Sequence, residues 1–239
     1  MENNRASRIL FGIFVFGSIW GFLEAITFAG MLHRYWEVFF PYHLCPCFLM
    51  AAVFGSFVMG SSLAIHKNPM MLVGIGLVAA VSGWFSVPFL PDAVRADYYG
   101  AWIASATAVV VGAVSLAIVT TFLIKRLAKS VLARVVVGVL SGLIAASIFI
   151  LVTEYGVDKG IVAVLGYSRP LPDFLGVGGM YWMVIQAIML PLGYLAGEKW
   201  KEFIGTHAGT ISSQGYARLA AIPALLAGGS AAAFVMGLQ

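Results

Sequence analysis

Apolar residues run along this chain in long blocks, and the charged residues gather between them. Seven blocks, roughly 8–31, 43–65, 69–90, 99–124, 131–153, 175–197 and 218–238, have the length of a membrane-spanning helix. Such a helix needs about 20 mostly apolar residues at a rise of about 1.5 Å each. Pro88 and Pro91 crowd the end of the third block, and the seventh is short and rich in Ala and Gly. Six spans with a re-entrant or surface helix are therefore the alternative to seven. The period-2 alternation of a membrane barrel is absent, and helices satisfy their own backbone groups where lipid offers no water. The pattern predicts an all-α, polytopic integral membrane bundle of six or seven helices, folded as one domain over residues 1–239.

Composition agrees with this. Hydrophobic residues make up 61% of the chain and charged ones 10%, whereas a soluble domain carries about a quarter charged residues. The cations then set the orientation. With the N-terminus inside, the inner segments hold ten: Arg5, Arg8, Lys67, Lys125, Arg126, Lys129, Arg134, Lys199, Lys201 and Arg218. The outer loops hold four: Arg34, Arg95, Lys159 and Arg169. This positive-inside bias predicts a cytoplasmic N-terminus in the cytoplasmic (inner) membrane. It also accounts for the net charge of +4 without nucleic-acid binding. "MENNRASR" leads into an apolar run that contains Glu24 and lacks a small-residue cleavage site. It reads as the start of the first span and not as a removable signal peptide.

Two connections are long. The outer segment 154–174, "EYGVDKGIVAVLGYSRPLPDF", has an apolar middle and a Pro-rich exit, and reads as an outer lid or as plain connection. The inner segment from 198 mixes Trp200, Phe203 and Ile204 with Lys199, Lys201 and Glu202, which suits an interfacial helix over 198–206. No internal repeat supports a two-fold transporter. Small residues recur at spacing four in the first span (Gly17, Gly21, Ala25, Ala29) and in the last (Ala220, Ala224, Gly228, Ala232). Each ridge serves close packing, against another helix of this chain or against a partner subunit. Pro88, Pro191 and Pro223 fall within spans, where they favour kinks.

Glu24 is the one acidic residue well inside a span. An ionisable group at that depth is costly and faces the protein interior or a wet cavity. It binds a cationic substrate or metal, relays a proton, or caps a polar network with Ser18, Thr27 or the distant Gln186. The stretch "HRYWEVFFPYHLCPCFLM", 33–50, adds His33, His43, Cys45 and Cys47 at the outer end of spans one and two. Imidazole and thiolate suit zinc, copper, nickel or iron. A Cys45–Cys47 disulfide, or a polar lip with no ligand, are the other readings. His66 and His207 read as inner loop residues. No P-loop, H-E-x-x-H, G-x-S-x-G or C-x-x-C-H occurs, so nothing marks the chain as an enzyme by itself.

The stretch "FGSIWGFLEAITFAGMLH" (16–33), with Trp20-Gly21, Glu24-Ala25 and a terminal His33, resembles the opening helix of the substrate-binding S components of energy-coupling factor (ECF) transporters. A proline-led second helix and "NPMMLVGIGLVAAVSGW" (68–84) extend the resemblance to about residue 90. It implies a six-helix bundle that captures a vitamin or metal ion outside and is energised by a separate scaffold protein and ATPases. Gly17, Gly21, Ala25 and Ala29 would then dock the scaffold. The chain departs from that pattern in its seventh span, its Cys-Pro-Cys and the placement of Glu24 on the ridge.

Two functions follow as expectations. The first is a membrane transport subunit that captures a small solute or metal ion among Glu24, His33, His43, Trp20, Trp36 and Trp84. The second is a membrane anchor of a larger redox complex, with a metal or quinone site around His33, His43, Cys45 and Cys47.

Overall fold

In a computed structural model the described residues are 2–26, 46–84, 92–152 and 179–207, with side chains described at 9–24, 49–82, 103, 105–152 and 179–202. They form six helices and no strand: α1 (Glu2–Ile26), α2 (Pro46–His66), α3 (Met70–Trp84), α4 (Asp92–Leu127), α5 (Val131–Leu151) and α6 (Met180–His207). Four helices hold stretches long and apolar enough to cross a membrane: Leu49–His66, Ser105–Leu127, Val131–Leu151 and Met180–Glu202. α1 and α3 contribute shorter apolar stretches, Ile9–Glu24 and Met70–Ser82. Among the described residues the protein is thus a helical, membrane-embedded bundle.

Several boundaries differ from those read off the hydropathy pattern. α1 begins at Glu2, not near residue 8, so the polar leader is already helical. α4 begins at Asp92 and runs 36 residues, about 54 Å at standard rise. It absorbs 92–98, which the pattern assigns to a loop. Asp92, following Pro91 in sequence, suits a helix N-terminus, so the start is local chemistry that hydropathy does not register. α6 continues to His207, passing through Pro191. The expected interfacial helix 198–206 is therefore the last turns of α6 and not a separate element. His66 and His207 end α2 and α6, so neither is a loop residue. The expected lid 154–174, the seventh span 218–238 with its ridge, Pro88 and Pro223 lie outside the described residues.

The helices pack as a ring in the order α1, α3, α4, α5, α6, α2 and back to α1, and α2 also meets α4 across the middle. That cross-contact divides the bundle into two four-helix cells, α1–α2–α3–α4 and α2–α4–α5–α6, which share the α2–α4 wall. Small residues set the closest approaches, because tight packing replaces the hydrophobic drive inside lipid. At α2–α6, a Cβ on Gly60 would meet Leu190 O at 2.6 Å and Tyr194 N at 3.0 Å. Gly193 lies directly against the Phe57 backbone. The Ser61 hydroxyl lies 2.9 Å from Gly193 O, a hydrogen bond from one helix to the backbone of the next. At α5–α6, Gly138 and Gly142 sit on the backbone of Gln186 and of Trp182–Met183.

The two described turns, α2–α3 and α4–α5, are short. Ser130 is the N-cap of α5, its hydroxyl accepting from Ala133 N at 3.4 Å. After α2, Lys67 takes a positive φ of 52°, and its N–H donates to Leu63 O at 3.0 Å. That is the left-handed helix stop usually made by Gly. Outward, Phe14, Leu77, Val81, Phe122, Leu143 and Ile188 are exposed apolar side chains, a surface suited to lipid.

Candidate functional site

Trp20 and Glu24 stand one helical turn apart on α1, so both project from one face. Both are buried, at 1% and 5% exposure, although one carries a carboxyl group. The Trp20 indole Nε1 donates to Glu24 Oε1 at 3.1 Å. From α4, the Ser105 hydroxyl donates to the other oxygen, Oε2, at 3.3 Å. Each carboxyl oxygen thus receives a donor, one from its own helix and one from across the first cell. The indole is seated by α2: its six-membered ring packs onto Gly55, where any Cβ would strike it. Three helices therefore hold this group, with α1 supplying the acid and the indole, α4 a hydroxyl and α2 a flat seat.

The polar partners differ from those expected. Gln186 lies in the second cell, where Ser141 Oγ and Gln186 Oε1 are 2.7 Å apart. Ser141 also has Val137 O at 2.7 Å and Gly138 O at 3.1 Å, three acceptors for a single proton. Thr27, another expected partner, lies outside the described residues. The second cell also buries Trp182, edge-on to Phe149 with ring centroids 6.0 Å apart.

The small-residue ridge of α1 is used within the chain. A Cβ on Gly17 would meet Val78 Cβ at 2.6 Å and Ile75 O at 2.9 Å. One on Gly21 would meet Ser82 Cβ at 2.5 Å and Ala79 O at 2.8 Å. The two glycines expected to dock a scaffold lie against α3 of the same chain. Of Ala25 the backbone alone is described, and Ala29 lies outside the described residues.

The metal-ligand candidates fall at the edge of what is described. His33, His43, Cys45 and Trp36 lie outside the described residues. Cys47 lies in the first turn of α2 and Trp84 ends α3, with backbones alone described. Among the described residues no group of three or more His, Cys, Asp or Glu is placed to hold a metal ion. The sequence reading missed Ser105 and Gly55. Each is one small residue among many in an apolar helix, and neither carries a local signal of its role.

At the opposite end of the bundle lies a second polar cluster. Arg134, buried at the start of α5, donates through Nε to Leu127 O at 2.9 Å. Its guanidinium stacks on Tyr194 with Cζ 4.0 Å from the ring centroid, and NH2 lies 3.5 Å from Glu198 Oε2. Stacking plus directed N–H bonds is a guanidinium geometry that lysine cannot reproduce. The cluster ties the end of α4 and the start of α5 to α6. No family model, curated protein or solved structure matches the chain.

Proposed function

We propose that this protein is a membrane transport subunit that captures a small cationic or metal solute from the outer side, with Glu24 as its polar anchor and separate subunits supplying energy. The observation that carries the reading is the buried Glu24 carboxyl, bonded by Trp20 and Ser105 within a cell of four helices. A carboxyl group withdrawn from water and oriented by neutral donors is set up to exchange those donors for a cation. The cation bias of the sequence supports a cytoplasmic N-terminus, which puts the Glu24 end of α1 toward the outer face. His33, His43, Cys45 and Cys47 follow Glu24 in sequence and are the candidate next ligands on the way in. No nucleotide-binding loop is present in the sequence, so energy would come from a partner ATPase.

The test is a thermal-stability screen of purified protein in lipid nanodiscs against small organic cations and against Zn²⁺, Ni²⁺, Co²⁺ and Cu²⁺. A ligand at about 100 times its dissociation constant stabilises by about 2.7 kcal/mol, a shift of several degrees. The shift should be lost in Glu24→Gln, whose own melting temperature stays near that of the parent. An equal shift in the variant removes Glu24 from the site. Visible absorbance or copurified quinone in the same preparation would assign the chain instead to a redox complex.

A further inference from the structure

The end of the bundle opposite Glu24 carries a cationic rim that solute capture does not use. Lys125 and Arg126 close the last turn of α4 and Lys129 stands in the turn to α5. Lys199 and Lys201 extend from α6. All five are exposed. The Arg134 cluster brings them to one rim, because Leu127 O and Glu198 are both held by the same guanidinium. Among the described side chains two carboxylates share the rim, Glu198 and Glu202, and Glu198 is already engaged with Arg134.

The surroundings are apolar and bare. Phe122, one turn before Lys125 and Arg126, is 82% exposed, and Leu132, just after Ser130, is 71% exposed. Trp200, between the two α6 lysines, is 60% exposed. Cations bordered by exposed apolar side chains match the boundary between headgroups and acyl chains, where indole rings also settle.

We propose that this rim binds the headgroup of an anionic phospholipid, its phosphate held by Lys125, Arg126 and Lys129 and its acyl chains lying along Phe122 and Leu132. Charge complementarity selects an anion, and the apolar flank selects one that carries chains. The assignment rests on the membrane embedding of the bundle and is independent of the solute-capture reading.

The experiment is native mass spectrometry of the whole chain released from detergent with phosphatidylglycerol or phosphatidylcholine of identical chains. Thermal stability is measured alongside with each lipid and with inorganic phosphate alone. Phosphatidylglycerol should be retained about tenfold or more over phosphatidylcholine and should raise the melting temperature. Both effects should be lost in the triple variant Lys125→Gln/Arg126→Gln/Lys129→Gln and kept in Lys67→Gln, which removes a cation from the neighbouring α2–α3 turn. Equal retention of the two lipids by the unmodified protein overturns the proposal without need of any variant. Equal loss in Lys67→Gln overturns it in favour of diffuse surface charge, and equal stabilisation by inorganic phosphate in favour of a site for free anions.

Discussion

Replacing Glu24 by leucine removes the acceptor from its two described donors, Trp20 and Ser105, in a place water does not reach. Trp20 is 1% exposed and its Nε1 lies 3.1 Å from the carboxyl, while Ser105 lies 3.3 Å away on α4. The two donors do not suffer alike. Serine in a helix can turn its hydroxyl to the carbonyl one turn back, so Ser105 has an alternative in its own helix. The indole N–H has one direction, fixed by the ring's seat on Gly55. The lost bond therefore falls mainly on Trp20, at about 1–3 kcal/mol for a buried donor left without an acceptor. Measured couplings between helices in lipid are smaller, about 0.6 on average and about 1.7 at most. A coupling of about 1–1.5 kcal/mol between Trp20→Phe and Glu24→Leu is expected, the double variant being that much more stable than additivity gives. Glu24→Gln should cost under about 1 kcal/mol. Its carbonyl keeps the indole bond and its amide can donate to the Ser105 oxygen. The assay is reversible unfolding in mixed micelles of dodecyl sulfate and a neutral detergent, followed by circular dichroism, for the parent and the variants. Additivity within about 0.3 kcal/mol, or a glutamine variant as damaged as the leucine one, would refute this account of the site.

Other consequences are as direct. Lys67→Gly should stabilise the protein by roughly 0.5–1 kcal/mol in the same assay, since a φ of 52° strains any residue with a Cβ. Ser115→Ala should be neutral or stabilising by up to about 1 kcal/mol, because its buried hydroxyl has no hydrogen-bond partner among the described residues. Gly138→Ala places a Cβ 2.5 Å from Gln186 O, so α5 and α6 must separate. Overpacking of about 1–3 kcal/mol should outweigh the gain of about 1 kcal/mol in helix propensity, and a stabilised variant would mean the helices are not this close. Arg134→Lys should lose most of what Arg134→Ala loses, a few kcal/mol, since lysine cannot both stack on Tyr194 and hold Leu127 O. Full rescue by lysine would reduce the cluster to simple charge pairing.

The sequence alone determined that this chain is a bundle of apolar helices, because a hydrophobic block about 20 residues long admits few other structures in lipid. It also singled out Glu24, because an acid in such a block stands out by type. It marked Gly21 on the small-residue ridge, yet it could not say which way each helix faced. Hydropathy that is high all round a helix leaves its rotation undetermined. The partner of Glu24 on another helix therefore came from tertiary structure alone: Ser105 is 81 residues away, while Gln186, also polar and buried, belongs to the other cell. The ridge of Gly17 and Gly21 was visible as a motif, but a smooth face says only that something comes close. Packing decided that α3 of the same chain covers it. The charges at the other end were plain in the sequence as a bias of sign. Their gathering onto one rim depended on Arg134, whose bonds to Leu127 and Glu198 bring three helix ends together. Composition and block length act through the lipid, which every residue meets alike; neighbours are set by helix rotation and close approach, which exist only once the bundle has formed.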